Sequence, residues 1–197
     1  KLQCIICGGG LMDRDKFVKC KVCDYLYKKI GSSVDLLPNN KILLSKGFNR
    51  RKIKIWRASQ KQFEERATAR PNYGKDEVLQ AINKLDSYAR YLYNNDTIRG
   101  NVLDIGTGPV IHYISENRIQ NINLDKAQVF GLDPWLSKDI PANFVQAIGE
   151  LNPFKDEIFD RIIINSVLDH TLNPKMIISE AFRVLKPGGK LIIGSIL

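Results

Sequence analysis

The 197-residue sequence lacks any apolar stretch approaching the roughly 18–20 residues that cross a bilayer. Its first residues are polar and cysteine-rich, without the uninterrupted apolar core of a signal peptide. The two absences give the expectation of a soluble, cytoplasmic protein with no membrane partner. There is no initiator Met, and the last residues are the apolar run LIIGSIL, so the sequence reads as part of a longer chain. No internal repeat or low-complexity segment is present, which excludes solenoid and array architectures. Histidine is scarce: His112 and His170 are the only two, so imidazole chemistry has two candidates. Acids are scarce in one region alone. Residues 1–70 hold 17 Lys/Arg against 6 Asp/Glu, whereas the remaining 127 residues hold 13 against 15. The net charge of +9 therefore belongs to the N-terminal third. That third suits an anionic partner such as RNA, a phosphorylated metabolite or a glycan precursor, or is simply a solvated lysine-rich surface.

What is present is equally localised. All four cysteines fall in the first 23 residues, as Cys4-x2-Cys7, twelve intervening residues, then Cys20-x2-Cys23. Two such knuckles present four thiolates to one tetrahedral zinc, and each tight turn lets backbone amides offset the sulfur charge. Disulfides are the competitor, but nothing indicates an oxidising compartment. Cys4, Cys7, Cys20 and Cys23 are expected to hold a structural Zn2+ in a zinc ribbon over residues 1–30. With four protein ligands the site is closed, so the metal stabilises folding rather than activating water.

Residues 31–74 read as a basic linker and helix. Pro38-Asn39-Asn40 and Gly47 interrupt the linker, KILLS is its one short apolar run, and the basic cluster is Arg50, Arg51, Lys52, Lys54 and Arg57. A helix is expected from about Trp56, with Trp56, Phe63 and Ala67 near one face, and Pro71 ends it. A second is expected from Lys75 to about Tyr93. These two helices are placed to cover the mouth of any site that follows. From Asn101 strand and helix signals alternate. Strands are expected at Asn101–Ile105, Gln128–Leu132, Asn143–Ala147, Arg161–Asn165 and Lys190–Ile196. Helices are expected at Ile111–Arg118 and Pro174–Val184, and after Asp133 or Pro153. That alternation means an α/β fold with a doubly wound, mostly parallel Rossmann-like sheet over residues 75–197, whose ligand lies beyond the strands' carboxyl ends.

The stretch VLDIGTGPVIHYISENR carries the first chemical motif. Gly106 and Gly108 let the backbone turn tightly and approach a ligand, and a helix start after them points free amides at an anion. Asp104, just before the first glycine, would face a pyrophosphate with its own charge. It suits a ligand with an ammonium group beside a carboxylate, as an amino-acid tail has.

From here the sequence resembles class I S-adenosylmethionine-dependent methyltransferases, over roughly residues 99–197. VLDIGTGP is similar to the family's first motif, VFGLDP to its second, AIGELNPFKDEIFDRIIINSVLDHTLNP to its adenine-side loop and fourth strand, and EAFRVLKPGGKLIIG to its last helix, turn and fifth strand. The resemblance implies S-adenosyl-L-methionine as cofactor. Asp104, Gly106, Thr107 and Gly108 would meet its methionyl end. Asp133 would bond both ribose hydroxyls, and Pro134 and Trp135 would border the adenine, with Asn165 nearby. Two positions depart from the pattern: Val110 replaces a third glycine, and Ile148 stands where many members have an Asp for the adenine amino group. Gly149 and Glu150 are the expected replacements for that contact. The spacing from Asp104 to Asp133 implies an extra loop at INLDKA, and two final strands of the family are missing.

Methyl transfer needs a base only where the acceptor must lose a proton. The candidates after the fourth strand are Asn165, Asp169 and His170, with His170 and Asp169 taken as catalytic. His112, Tyr73 and Tyr113 read as packing residues. Asp169–His170 does not read as a hydrolase dyad, because adjacent residues seldom face each other and no activated serine is apparent. The leading expectation is a methyltransferase for a small-molecule or glycan-like acceptor. An RNA methyltransferase using the ribbon and basic linker is second. Against it, Asn165-Ser166-Val167-Leu168 is not the Asn/Asp-Pro-Pro-aromatic signature of many base-nitrogen methyltransferases. A degenerate methyltransferase fold acting as a binding module is third. The acceptor and the oligomeric state are not legible.

Overall fold

The computed structural model of the chain describes residues 1–69, 96–108, 126–135 and 143–194. The expected helices Lys75–Tyr93 and Ile111–Arg118 lie outside these residues. So do Tyr73, Val110, His112, Tyr113, the side chain of Ala67, most of the INLDKA loop and the boundary at 74/75. Among the described residues no helix is long and apolar enough to cross a membrane.

The N-terminal module is a small antiparallel sheet in the order β1(Leu11–Asp13), β2(Phe17–Cys20), β3(Leu26–Ile30), β4(Ser33–Val34). The segment between the knuckles is thus a hairpin of two strands. Its last pairing sets Lys29 opposite Val34. The stretch read as a linker then holds a helix, α1(Asn40–Ser45), where Asn39 caps the start by accepting from the Ile42 amide at 2.9 Å. The second helix, α2(Arg50–Ala69), begins two turns before the expected Trp56. The reason is Asn49, whose Oδ1 accepts from the Arg51 and Lys52 amides at 2.8 and 3.3 Å. Those bonds satisfy donors a helix start otherwise leaves open.

The larger sheet has five strands: β5(Gly100–Ile105), β6(Ala127–Asp133), β7(Phe144–Gln146), β8(Phe159–Asn165) and β9(Leu185–Gly194). All pair in parallel, in the order β7-β6-β5-β8-β9. The central strands are apolar on both faces, as in Phe159–Asn165, where four consecutive residues are buried. That is the signature of a parallel sheet covered on both sides. Strand order reverses between β5 and β8, so the crevice lies at the carboxyl ends of those strands. One helix, α3(Pro174–Val184), falls where the sequence placed it, with Asn173 before it and Pro174 at its first turn. No helix follows Pro153. Phe154 instead bridges to Leu2, and Asp156–Glu157 make a turn with Glu157 at φ 54°.

The two sheets share one interior. Cys4, Ile5, Cys20 and Tyr27 of the N-terminal module pack in the same core as Leu103, Phe130, Val145, Phe154 and Phe159. Phe130, Phe154 and Phe159 meet edge to face at centroid distances of 5.8, 5.5 and 4.9 Å. Backbone bonds reinforce the junction: the Gln3 amide donates to Pro153 O at 2.6 Å and the Lys155 amide to Lys1 O at 3.0 Å. A second cluster of Leu43, Phe48, Ile53, Trp56, Ile148 and Leu172 fixes α1 and α2 against the sheet's ligand side.

Candidate active site and metal centre

The four thiols converge as their spacing predicts. Their Sγ atoms all lie within 4.8 Å of one another, with Cys7–Cys20 at 3.5 Å and Cys4–Cys23 at 3.7 Å. A tetrahedron with Zn–S bonds of about 2.3 Å has sulfur–sulfur edges of about 3.8 Å, so the donor set is of a size to close around one zinc. Amides point at the sulfurs: Val22 and Cys23 donate to Cys20 Sγ at 3.4 and 3.5 Å. At Cys20 burial opposes ionisation, but those amides and the neighbouring thiols prevail and lower it to about 6. Cys23 receives the Tyr25 amide, yet burial and the adjoining sulfurs push it up to about 12. Tyr27, 3% exposed, places its hydroxyl 3.0 Å from Cys4 Sγ.

The carboxyl ends of β5, β6 and β8 open into a cavity of about 340 Å³, within the range of small-ligand sites. Gly106 and Gly108 form its floor with φ of 79° and 70°. Any Cβ on Gly106 would sit 2.3 Å from Val167 Cγ2, so only glycine fits there. Asp133, at the end of β6, is 9% exposed. Its Oδ2 accepts from the Gly108 amide at 2.9 Å and its Oδ1 from the Trp135 amide at 2.8 Å. Desolvation dominates those two bonds and raises its carboxyl to about 6.

The cavity brings together Gly106, Gly108, Asp133, Pro134, Trp135, Gly149, Glu150 and His170 of the expected set. Asp104 and Thr107 are buried beside the loop but are not part of the wall, and neither are Asn165 and Asp169. Thr107 Oγ1 instead donates to Gly108 O at 3.0 Å. Glu150 is buried, and its Oε1 accepts from the Leu172 and Asn173 amides at 2.6 and 3.0 Å, which holds the entry to α3. Burial raises its carboxyl despite those amides. Ile148 lies between the cavity and the apolar cluster around Trp56, where an Asp would be stranded without water.

Asp169 and His170 do face each other, contrary to the expectation for adjacent residues. The tight turn Leu168–His170 brings Asp169 Oδ2 to 3.2 Å from His170 Nε2. The imidazole meets the Phe63 ring edge-on at a centroid distance of 4.7 Å. Gln60, Ser166, Val167 and Thr171 also line the cavity and were missed by sequence reasoning. Ser166 carried one signal, its place just past a parallel strand. It adopts φ 53°, a left-handed conformation that non-glycine residues reach mainly where the surroundings enforce it.

A family model described as a methyltransferase domain matches residues 103–193. The match takes in a little under half of the chain, which over that span is similar to a methyltransferase domain. The matched span starts inside β5 and ends in β9, so it contains the glycine loop, Asp133 and His170. Over 50 residues the chain is 62% identical to an uncharacterised protein of Methanocaldococcus jannaschii, covering 25% of this chain and 24% of that protein. Over 103 residues it is 36% identical to a ubiquinone/menaquinone biosynthesis C-methyltransferase of Stutzerimonas stutzeri, covering 47% of this chain and 40% of that one. The chain thus matches well under half the length of these relatives. A solved Methanococcus maripaludis protein, proposed to be an S-adenosyl-L-methionine-dependent methyltransferase, overlaps with a TM-score of 0.42 at 19% identity, covering 62% of each chain. Outside the matched span lie the cysteine ribbon and α2, and α2 contributes Trp56, Gln60 and Phe63 to the cavity.

Proposed function

We propose that the chain transfers a methyl group from S-adenosylmethionine to a small, uncharged acceptor, and that its ribbon holds one structural zinc. The observation that carries this reading is Asp133, buried at the end of β6 beside two left-handed glycines in a cavity of ligand size. When bound, the cofactor supplies a methyl group already activated on a sulfonium. The protein's share is then positioning and exclusion of water. Asp133 accepts from the ribose hydroxyls with lone pairs not taken by the two amides. Gly106 and Gly108 leave room for the methionyl end, backed by Asp104 and Thr107. Pro134, Trp135, Gly149 and Glu150 border the adenine, and Asn165 supports the end of β8. Trp56 and Phe63 close the side opposite the sheet.

His170 is the base. With Nε2 held by Asp169, its Nδ1 is the nitrogen left to take a proton from an acceptor hydroxyl or carbon acid. Among the described residues no Lys or Arg lines the cavity, which supports an uncharged acceptor over RNA. Calorimetric titration of the zinc-loaded chain with S-adenosylhomocysteine tests the cofactor reading. Saturable binding at one site is expected, and its absence would leave the binding-module alternative. A screen with labelled cofactor then addresses the acceptor. It should include ring compounds of ubiquinone/menaquinone biosynthesis, in view of the relatives' name, together with glycan-like acceptors.

A further inference from the structure

A continuous set of bonds runs from the cysteine ribbon to the cofactor cavity through the edge of the large sheet. Without a cover, β7 would expose an open edge. The chain leaving the ribbon covers it. Ser33 Oγ donates to Phe144 O, Asp35 bridges Gln146 in parallel, and the Leu36 amide donates to Gln146 O at 2.8 Å. On its other side β7 pairs with β6, with Gln146 level with Asp133. The Ala147 amide takes up Asp133 O at 3.1 Å, and the Gln146 side chain donates from Nε2 to Pro134 O at 3.0 Å. Pro134 and Trp135 are cavity wall; Gln146 is not.

We propose that Gln146 is a positioning residue through which the metal ribbon fixes the nucleoside wall of the cavity. This rests on the cofactor reading above. The turn after Asp133 must stay put for two reasons: it carries the Trp135 amide that orients the carboxylate, and Pro134 itself borders the ligand. Gln146 holds that turn by the Pro134 carbonyl, while its own carbonyl is pinned by the chain emerging from the ribbon. Metal occupancy and cofactor affinity are therefore linked, and by reciprocity the cofactor tightens metal retention.

Two variants on opposite sides of β7 test this. Gln146→Met keeps the strand and the side-chain length but loses the bond to Pro134 O. Ser33→Ala cuts the ribbon-side bond to Phe144 O. With zinc bound in both, S-adenosylhomocysteine affinity measured by calorimetry is expected to fall about three- to tenfold in each, the size of one neutral hydrogen bond. The KM for the cofactor should rise while kcat stays level. Gln146→Glu supplies the readout that general loosening would not move. Its carboxylate repels Pro134 O at neutral pH and donates once protonated, so its deficit relative to wild type should narrow as pH falls through about 4. If wild type binds and all three variants match its affinity, the inference is overturned. If wild type itself does not bind, the cofactor reading fails instead.

Discussion

Asp133 is fully enclosed with both carboxylate oxygens on backbone amides, and burial still raises its carboxyl to about 6. A group whose folded value lies above its unfolded value of 3.8 favours the fold most at low pH, and that contribution is lost as pH rises through about 6. Cofactor binding runs the other way, because ribose hydroxyls donate to the ionised form. S-adenosylhomocysteine affinity is expected to rise about tenfold from pH 5 to pH 7, and Asp133→Ala should lower it at pH 7 by about 1–3 kcal/mol. Titrations at both pH values check the two together. The glycines beside it are not equivalent. Gly106→Ala meets both a left-handed φ and the Val167 side chain, whereas Gly108→Ala meets only the φ, with nothing within 4 Å. Urea melts should show Gly108→Ala losing about 1–2 kcal/mol and Gly106→Ala losing clearly more, with its ligand binding abolished. For His170→Gln, the prediction is a kcat about 10²- to 10⁴-fold lower with cofactor affinity little changed. An unaltered kcat would remove the imidazole from the chemistry.

Among the elements, legibility followed burial and punctuation. The five parallel strands could be read because strands buried on both faces appear as apolar runs. Pro174–Val184 was bounded by its own Asn, Pro and the Lys-Pro-Gly beyond it. KILLS was not read as a helix because six residues show too little period, yet Asn39 and Asn49 were visible caps that would have placed both helix starts. Trp56 and Phe63 were correctly set on one face of a helix expected to cover the mouth of the site, but what holds it there, the packing of Trp56 with Ile148 and Leu172, was not legible. The same packing explains why Ile148 is not an acid. Trp56→Ala should therefore cost about 3–5 kcal/mol and weaken cofactor binding as α2 loosens, readable by thermal melts and calorimetry. The Asp169–His170 contact escaped sequence reasoning because it depends on the short turn after β8, whose geometry no residue pattern announces.

For the whole molecule, the ribbon's metal geometry was legible from four cysteines, but its attachment was not. The contacts that fuse it to the sheet join residues far apart in sequence, such as Cys4 and Tyr27 with Phe154 and Phe159. With a shared interior, removing zinc should lower the melting temperature of the entire chain. Scanning calorimetry is expected to show a single transition shifted downward by chelation. Two transitions, with only the first responding to chelator, would mean that the modules unfold separately.

The junction also sets an order of events during synthesis. The four cysteines and the strands between them are complete by residue 34, and their contacts are local, so metal capture can begin as soon as that segment emerges. The surface the ribbon must dock on, Phe144 to Phe154, emerges more than a hundred residues later. Until then the apolar cluster around Ile5 and Tyr27 lacks Phe154 and Phe159, with which it shares the core. The nascent protein thus carries an early-folded head waiting for its seat, and this interval is when it most needs a chaperone.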